Sequence, residues 1–453
     1  MVGQVKSENV SQLRLTYRQI FKFWIPLAGT WLMMAIEGPY LAAIIARLPE
    51  PTINLAAFGV AFAFAVIIES PVIMLMSAST ALVEDRQSFL ALRRFAYGLG
   101  AALTAVQIIA LTPTVFNFVS LDVLALPPEV AHLTHGGLAL LLPWTSAIAY
   151  RRFRQGLLIR HHLTRRVAYG TGLRLLTMSV TAFVAFRFSP INISGAHIGA
   201  LALSVGVVVE ALASRLMTSS IVSLLMERDR ATAHRVDTTF HLPNLARFYM
   251  PLALTSVLAL AIQPLVTFFM GQSRHALESL AVLPVVHGVT FIFRAIGLSY
   301  LEVVVALLDQ ERKYFSQIRN FAVLIATVTV LGLAGIAYTP LGLVWLIDVS
   351  GLAPELANFA LFPIKILALF PALSVLLSLQ RGTLIHSHRT PPITRATLLE
   401  VITVGIVLAV GIHIFDLIGA TAAALAILSG RIVGNAWLTP AWINVLRSED
   451  HRD

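Results

Sequence analysis

The 453-residue chain contains no cysteine, which removes disulfide frameworks, thiolate metal sites and cysteine nucleophiles together. It is also poor in charge. Only 12% of its residues are Asp, Glu, Lys or Arg, where a soluble domain carries about a quarter. Too few charges remain to cover a water-facing surface. No GxxxxGK[ST] phosphate loop occurs, so ATP hydrolysis falls to no motif of this chain. The first twenty residues are polar, and the apolar run behind them is too long for a leader and lacks a small-residue cleavage site. What the sequence holds instead is apolar residues: 57% are hydrophobic and the mean hydropathy is +0.81. Its natural solvent is a bilayer.

A membrane span takes about 20 mainly apolar residues. The sequence predicts twelve, over 21–46, 54–79, 95–118, 131–150, 167–187, 196–224, 246–270, 278–307, 317–338, 356–379, 396–416 and 418–442. The last two are nearly continuous, with the turn expected at Asp416–Gly419. Residues 341–348 read as a short interfacial helix. The expected fold class is therefore an all-α membrane protein of twelve transmembrane helices.

The net charge is +10. Its placement explains it. Lysines and arginines crowd the N-terminal arm, the C-terminal end and every second loop, including Arg151, Arg152 and Arg154 between the fourth and fifth spans and Arg381 between the tenth and eleventh. The opposite loops hold Arg47, Arg187 and Arg274. The positive-inside rule then puts both termini in the cytoplasm. The basic excess is a topology signal, and nucleic acid is not an expected partner.

The chain also repeats itself at an offset of about 225 residues. FWIPLA (23–28) meets FYMPLA (248–253), and the second prolines, Pro39 and Pro264, keep the register. NLAA (54–57) meets SLAV (279–282). ALVEDR (81–86) meets ALLDQER (306–312), RQGLLIRHH (154–162) meets QRGTLIHSH (380–388), and GAHIGALA (195–202) meets GATAAALA (419–426). Collinear matches of this kind mark an internal duplication. Six spans in each copy return the chain to its starting side, so the repeats are parallel and related by an axis along the membrane normal. The expected domains are a cytoplasmic arm over 1–20, a first lobe over 21–225, a linker over 226–245, a second lobe over 246–446 and a tail over 447–453. Two such bundles facing one cavity predict a transporter working by alternating access. With no ATP site, H⁺ or Na⁺ is the expected coupling ion, and no other cofactor is expected. The expected partners are the bilayer and a small-molecule substrate, the chain is expected to be a monomer, and a bacterial inner membrane is the expected location.

The Pro-Leu openings of spans 1 and 7, the Ala-Leu-x-acidic endings of spans 2 and 8 and the Gly-Ala-x-x-x-Ala starts of spans 6 and 12 resemble the multidrug/oligosaccharidyl-lipid/polysaccharide (MOP) superfamily, which includes the MATE exporters. Loop 2–3, VEDRQSFLALRR, lacks the glycines of the major facilitator motif. PVVHG (284–288), FRAIGLSYLEVVVALLDQ (293–310) and FPIKILALFP (362–371) are similar to motifs of the progressive ankylosis (ANKH-type) transporters within that superfamily. The glycine–histidine order in PVVHG differs from theirs. The resemblance implies a MATE-like pair of six-helix bundles.

Charges inside a span cost several kcal/mol unless paired or hydrated, so each marks a cavity or relay. Glu37, Glu69, Glu210 and His287 are the candidate ion-coupling residues. Glu37 precedes Gly38-Pro39, where a helix break would free carbonyls; the bland alternative satisfies it with hydroxyls such as Thr30. Arg294, Lys365, Arg431, Glu302 and Glu400 are the candidate substrate residues, because arginine grips carboxylate or phosphate bidentately and lysine adds a point charge. Glu69 and Arg294 occupy the same place in the two copies, and either pair across the cavity or pair separately within their own lobes. Arg431 is placed to pair with Glu400. The expected function is export of a small anionic or amphipathic organic solute. A MATE-type cation antiporter and a flippase for a lipid-linked precursor are the alternatives. An intramembrane enzyme built on His287 has no motif behind it and leaves the duplication unexplained.

Overall fold

An apolar run in lipid has no water to satisfy its backbone, and helix formation satisfies it internally. The computed structural model describes residues 15–45, 47–124, 126–188, 193–228, 242–309, 313–350 and 352–447, and no strand occurs among them. The expected arm, linker and tail lie mostly outside the described residues.

Eight main helices form the first half. They are α1 (Tyr17–Ile45), α2 (Pro51–Glu69), α3 (Leu75–Leu82), α4 (Arg86–Ala110), α5 (Pro128–Leu140), α6 (Leu142–Arg160), α7 (Thr164–Phe188) and α8 (Gly195–Met217). Eight more form the second half in the same order. They are α9 (Leu242–Met270), α10 (Ala276–Leu298), α11 (Tyr300–Leu307), α12 (Phe315–Tyr338), α13 (Pro354–Ile366), α14 (Phe370–His386), α15 (Pro391–His413) and α16 (Gly419–Arg447). A short helix, Ser219–Arg228, follows α8, and the expected short helix near 341–348 begins at Leu341–Val344.

The duplication extends to backbone detail. Glu50 and His275, which open α2 and α10, both have left-handed φ, 50° and 56°. His162 and His388, in the turns after α6 and α14, do the same at 59° and 57°. L-residues avoid that region, so its recurrence at matched positions marks a conserved turn geometry within the chain itself. The N-terminus of α8 is capped from α2, where Asn54 Oδ1 accepts from the Ala196 N–H at 2.9 Å. The N-terminus of α16 is capped by the matching residue of α10, where Ser279 Oγ accepts from the Ala420 N–H at 3.1 Å.

Both halves break the same crossings. The second crossing of the first half passes from α2 to α3 through a tight turn at Ser70–Val72, and its counterpart breaks at Ser299. The α5–α6 crossing breaks at Leu141, before Pro143, and α13–α14 at Leu367–Leu369, before Pro371. Three of the four breaks sit beside a proline that cannot donate to the preceding turn, Pro71, Pro143 and Pro371; the break at Ser299 has none nearby. The break expected at Gly38–Pro39 does not occur: α1 is helical from Tyr17 to Ile45. In the second copy α9 likewise runs straight through Pro251 and Pro264. In both, donors lost to proline lie one per site and the rest of the ladder holds.

Among the described residues, eleven segments are long and apolar enough to cross a membrane. The expected span 131–150 is present as α5–α6, but α6 carries Arg151, Arg152, Arg154 and Arg160, which dilute its apolarity. The side on which α1 begins also holds the basic turns. There Phe23 packs edge-on against His162, and Phe248 against His388, with centroids 5.4 and 5.6 Å apart. Arg160 reaches the end of α3, donating to Thr80 O at 2.8 Å and pairing with Glu84 at 2.9 Å.

The halves meet on this basic side. Trp24 Nε1 of α1 donates to Ser299 Oγ at 2.9 Å, and its counterpart Tyr249 of α9 donates to Pro71 O at 2.6 Å. One buried apolar cluster fills the first half and continues across this contact into Tyr249, Tyr300, Val303, Val304 and Leu384. The far side of the second half has a separate cluster containing Val266, Met270, Val282, Leu408 and Ala426. The apolar core thus joins the halves on the basic side and divides on the other.

Candidate functional site

In each half the last two long helices approach closely at a glycine. A Cβ on Gly206 of α8 would lie 2.5 Å from Met178 Cγ of α7, and one on Gly430 of α16 would lie 2.7 Å from Val404 Cγ2 of α15. At this contact each half carries a buried ion pair, with the signs exchanged. In the first half α7 supplies Arg174 and α8 supplies Glu210. In the second half α15 supplies Glu400, at the position matching Arg174, and α16 supplies Arg431.

The first-half pair is enclosed. Glu210 Oε2 receives Arg151 of α6 at 2.5 Å and Arg174 Nε at 3.4 Å. Its Oε1 accepts from Gln155 Nε2 at 3.1 Å and from Thr171 Oγ1 at 3.2 Å. Glu37 of α1 pairs with Arg174 Nη2. Two carboxylates thus face two guanidiniums, and the Glu210 and Arg174 side chains are 1% and 3% exposed. Ions buried this deeply persist only when each is compensated, and here both signs balance.

The second-half pair is open to a cavity. Arg431 places Nε at 2.9 Å and Nη2 at 2.8 Å from one carboxylate oxygen, Glu400 Oε1. Beside it the Phe370 ring carries two guanidiniums, Arg294 at 4.5 Å and Arg431 at 5.2 Å from its centroid. Arg294 also lies 5.8 Å from the Phe291 ring, and it has no hydrogen bond or ion pair among the described residues. Arg381 of α14 donates to Thr397 Oγ1 at 2.7 Å, with its Nε buried and unpartnered. Arg431 Nη1 is likewise buried and unpartnered. These residues line one cavity of about 350 Å³. His287 and Gln263 share a hydrogen bond at 3.0 Å on another wall, and the His287 ring stacks on Phe291. Trp31, Ile73 and Met74 close the cavity from the first half. Arg294, Arg381 and Arg431 share the cavity with the carboxylate of Glu400, so two positive charges stand uncompensated in a chamber lined mainly by apolar side chains. Cations resting on ring faces keep their N–H edges available to a ligand.

The structure relocates several residues expected from sequence. Glu69 and Arg294 form no ion pair, either with each other or within their halves, among the described residues. Glu69 is buried at the end of α2 where Arg152 is the leading charge acting on it, and one carboxylate oxygen has no hydrogen bond. Arg294 turns instead to the phenyl rings of its own half. Lys365 does not line the cavity. Its neighbours Pro363 of α13 and Leu367, just past the end of α13, line that chamber, while Lys365 lies over the exposed Tyr338 ring at 5.9 Å. Two residues on either side of a helix position face nearly opposite it, which a count along the span cannot reveal. Glu302 also stays out of the cavity and accepts a hydrogen bond from Ser77 of the first half at 3.2 Å. Glu37 is satisfied by Arg174 rather than by Thr30, whose hydroxyl donates to Pro26 O. Arg151, Arg152, Arg154 and Arg381 were expected in loops and are in helices. The repeat carried the signal, since RQGLLIRHH and QRGTLIHSH lie in matched helices, α6 and α14. Among the described residues no cluster of His, Cys, Asp and Glu could hold a metal ion.

No protein-family model matches the chain, and no curated protein matches it in sequence. Its fold is nevertheless that of solved MATE and MOP superfamily transporters. It superposes with TM-score 0.73 on a MOP superfamily transporter from Pyrococcus furiosus, described as having a binding pocket of reverse polarity that suggests a different function. The two are 14% identical, with 98% of this chain and 100% of that one covered. The eukaryotic MATE transporter AtDTX14 matches at TM-score 0.69 and 16% identity, covering 95% and 98%. The Vibrio cholerae MATE transporter VcmN in its bent form gives 0.69 and 16%, covering 96% and 98%.

Proposed function

We propose that the chain is a secondary transporter that carries a small amphipathic organic anion across a membrane by alternating access, with the second-half cavity as its substrate site. The observation that carries this reading is the cavity's charge: three guanidiniums line it against one carboxylate, with Arg294 held by rings and without a hydrogen bond or ion pair among the described residues. In a chamber of low dielectric such an excess attracts an anion far more strongly than it would in water. The apolar walls suit the remainder of an amphipathic solute. A volume of about 350 Å³ lies at the lower end of the range typical of small-molecule sites, about 300–1,000 Å³. The Pyrococcus furiosus transporter with a reverse-polarity pocket offers a precedent within the same fold for a pocket that departs from the others.

The positive-inside rule puts the basic side in the cytoplasm. The joined core then closes the cytoplasmic side, and the divided core leaves the cavity facing outward. Glu37 and Glu210 are bound to arginines, so they are poor sites for Na⁺ or an exchangeable proton in this state. Glu69, with a buried oxygen outside any hydrogen bond, is the first-half carboxylate we assign to ion coupling. The ANKH-type resemblance rests on PVVHG and FPIKILALFP. His287 of the first lies in the cavity, and Lys365 of the second lies outside it.

Uptake into proteoliposomes tests the proposal, comparing aryl phosphates and carboxylates with cationic dyes under imposed H⁺ or Na⁺ gradients. The expected result is anion uptake that falls at least tenfold in Arg294→Ala. Uptake of cationic dyes alone, unaffected by Arg294→Ala, overturns it in favour of a cation antiporter.

A further inference from the structure

The two ion pairs join corresponding helices of the two halves, with only Arg174 and Glu400 at matched positions, and the company each keeps differs. Glu210 is held by four side chains, Arg151, Arg174, Gln155 and Thr171, and it is not among the residues lining the second-half cavity. Glu400 is held by one, Arg431, and both its contacts fall on Oε1. The close approach of α16 at Gly430 and Gly434 fixes the helix backbone around Glu400 but supplies no hydrogen-bond donor from a side chain. Arg431 in turn has Nη1 buried and without a hydrogen bond. Arg294 and Arg381 line the same cavity, and among its described lining residues Glu400 is the only carboxylate.

Building on the anion reading of this cavity, we propose that Glu400 is an internal counter-anion which the substrate displaces from Arg431. When the cavity is empty the carboxylate occupies the guanidinium, so the basic chamber does not stand fully uncompensated. An incoming phosphate, phosphonate or carboxylate group takes the Arg431 edge while Arg294 and Arg381 bind its other oxygens. Glu400 already occupies Nε and Nη2, one of the edges at which a guanidinium grips an oxoanion bidentately, so an anion held at that edge must take those donors from it. Substrate and Glu400 therefore compete for the same donors. Glu400 sets an upper limit on affinity, which a transporter needs in order to release what it binds. The first-half pair, enclosed by further partners, has no such exchange and remains a structural tie.

The competition has a signature that a purely supporting carboxylate does not produce. Removing a residue that merely orients Arg431 weakens anion binding; removing a competitor strengthens it. The probe is 4-methylumbelliferyl phosphate, with uncharged 4-methylumbelliferone as control, and binding to detergent-purified protein is read by calorimetry and by the shift of the thermal midpoint. Glu400→Gln is expected to bind the phosphate about tenfold more tightly than the parent. Glu400→Asp, which keeps the charge but withdraws it from Arg431, is expected to fall between them and covers the case in which the glutamine variant does not fold. The control ligand is expected to bind all three alike. Arg431→Ala and Arg294→Ala are expected to weaken phosphate binding at least tenfold. Weaker phosphate binding in both Glu400 variants, with the arginine variants also weakened, overturns the displacement and leaves the anion site standing. Phosphate binding that is absent throughout, or unchanged in both arginine variants, overturns the anion site and the displacement with it.

Discussion

A guanidinium resting on phenyl faces is stabilised without using its N–H groups, and this distinguishes Arg294 from every arginine in the first-half network. Arg381 shares the cavity through Thr397 alone. Arg381→Ala is therefore expected to lower anion uptake about tenfold or more, measured in proteoliposomes. Lys365→Met is expected to leave it within about twofold, because the lysine lies over Tyr338 outside the chamber. His388 supports a pH prediction. Partial burial beside Phe248 pushes its imidazole below the ordinary 6.5, outweighing the opposing pull of Glu84. The folded protein then holds fewer protons than the unfolded chain near pH 6. The contribution is complete above pH 6.5 and is lost as the pH falls below that value. Thermal midpoints taken from pH 7.5 to 5.5 should fall, and His388→Phe should flatten the fall. An unchanged slope removes His388 as its source.

At the scale of single helices, the matched glycines decide how the ion pairs form. A leucine at Gly206 has backbone and side chain of α7 within 3.3 Å of its Cβ, including the Arg174 carbonyl. Gly206→Leu is expected to lower the thermal midpoint, with a cost of about 1–3 kcal/mol for overpacking, and Gly206→Ala to lower it less. Equal midpoints for both would show that α7 and α8 have room to spare. Helix type, the paired openings of α1 and α9 and the register of the repeat were legible in the sequence, because length and apolarity fix a span and proline marks its entrance. The α6 arginines were not. A helix that turns its charged face inward toward Glu210 and Glu302 reads, by charge density alone, as a loop. The sense in which a charge faces was likewise hidden for Lys365, since it depends on rotation about a helix axis that apolar neighbours on all sides leave unmarked. Glu400 with Arg431 was legible as a pair, and the cavity beside it was not, because it is a space between helices that are distant in sequence.

For the molecule as a whole, the divided core is the main mechanical fact. Trp24 with Ser299, Tyr249 with Pro71 and Ser77 with Glu302 join the halves on one side, and the apolar clusters separate on the other. The alternating access proposed above requires these contacts to open. Ser77→Cys with Glu302→Cys, linked by a short bifunctional thiol reagent, is expected to abolish uptake and to recover it on reduction. Unimpeded uptake in the linked protein would show that the halves do not part here. The absence of native cysteine makes the two introduced thiols the sole targets.

Ser77 and Glu302 also hold matched positions in the two copies, and they touch each other. A residue that meets its own counterpart sits where a dimer of identical units would place its symmetry axis. In such a dimer the residue must tolerate itself: two glutamates there would set carboxylate against carboxylate, and two serines would leave neither obliged to accept. Joining the units in one chain lifts that constraint. One copy can then become the donor and the other the acceptor, and the same freedom lets Arg174 and Glu400 diverge to opposite charges. The asymmetry between a half whose ion pair is enclosed and a half whose ion pair lines a cavity is thus something a covalent duplication permits and a homodimer forbids.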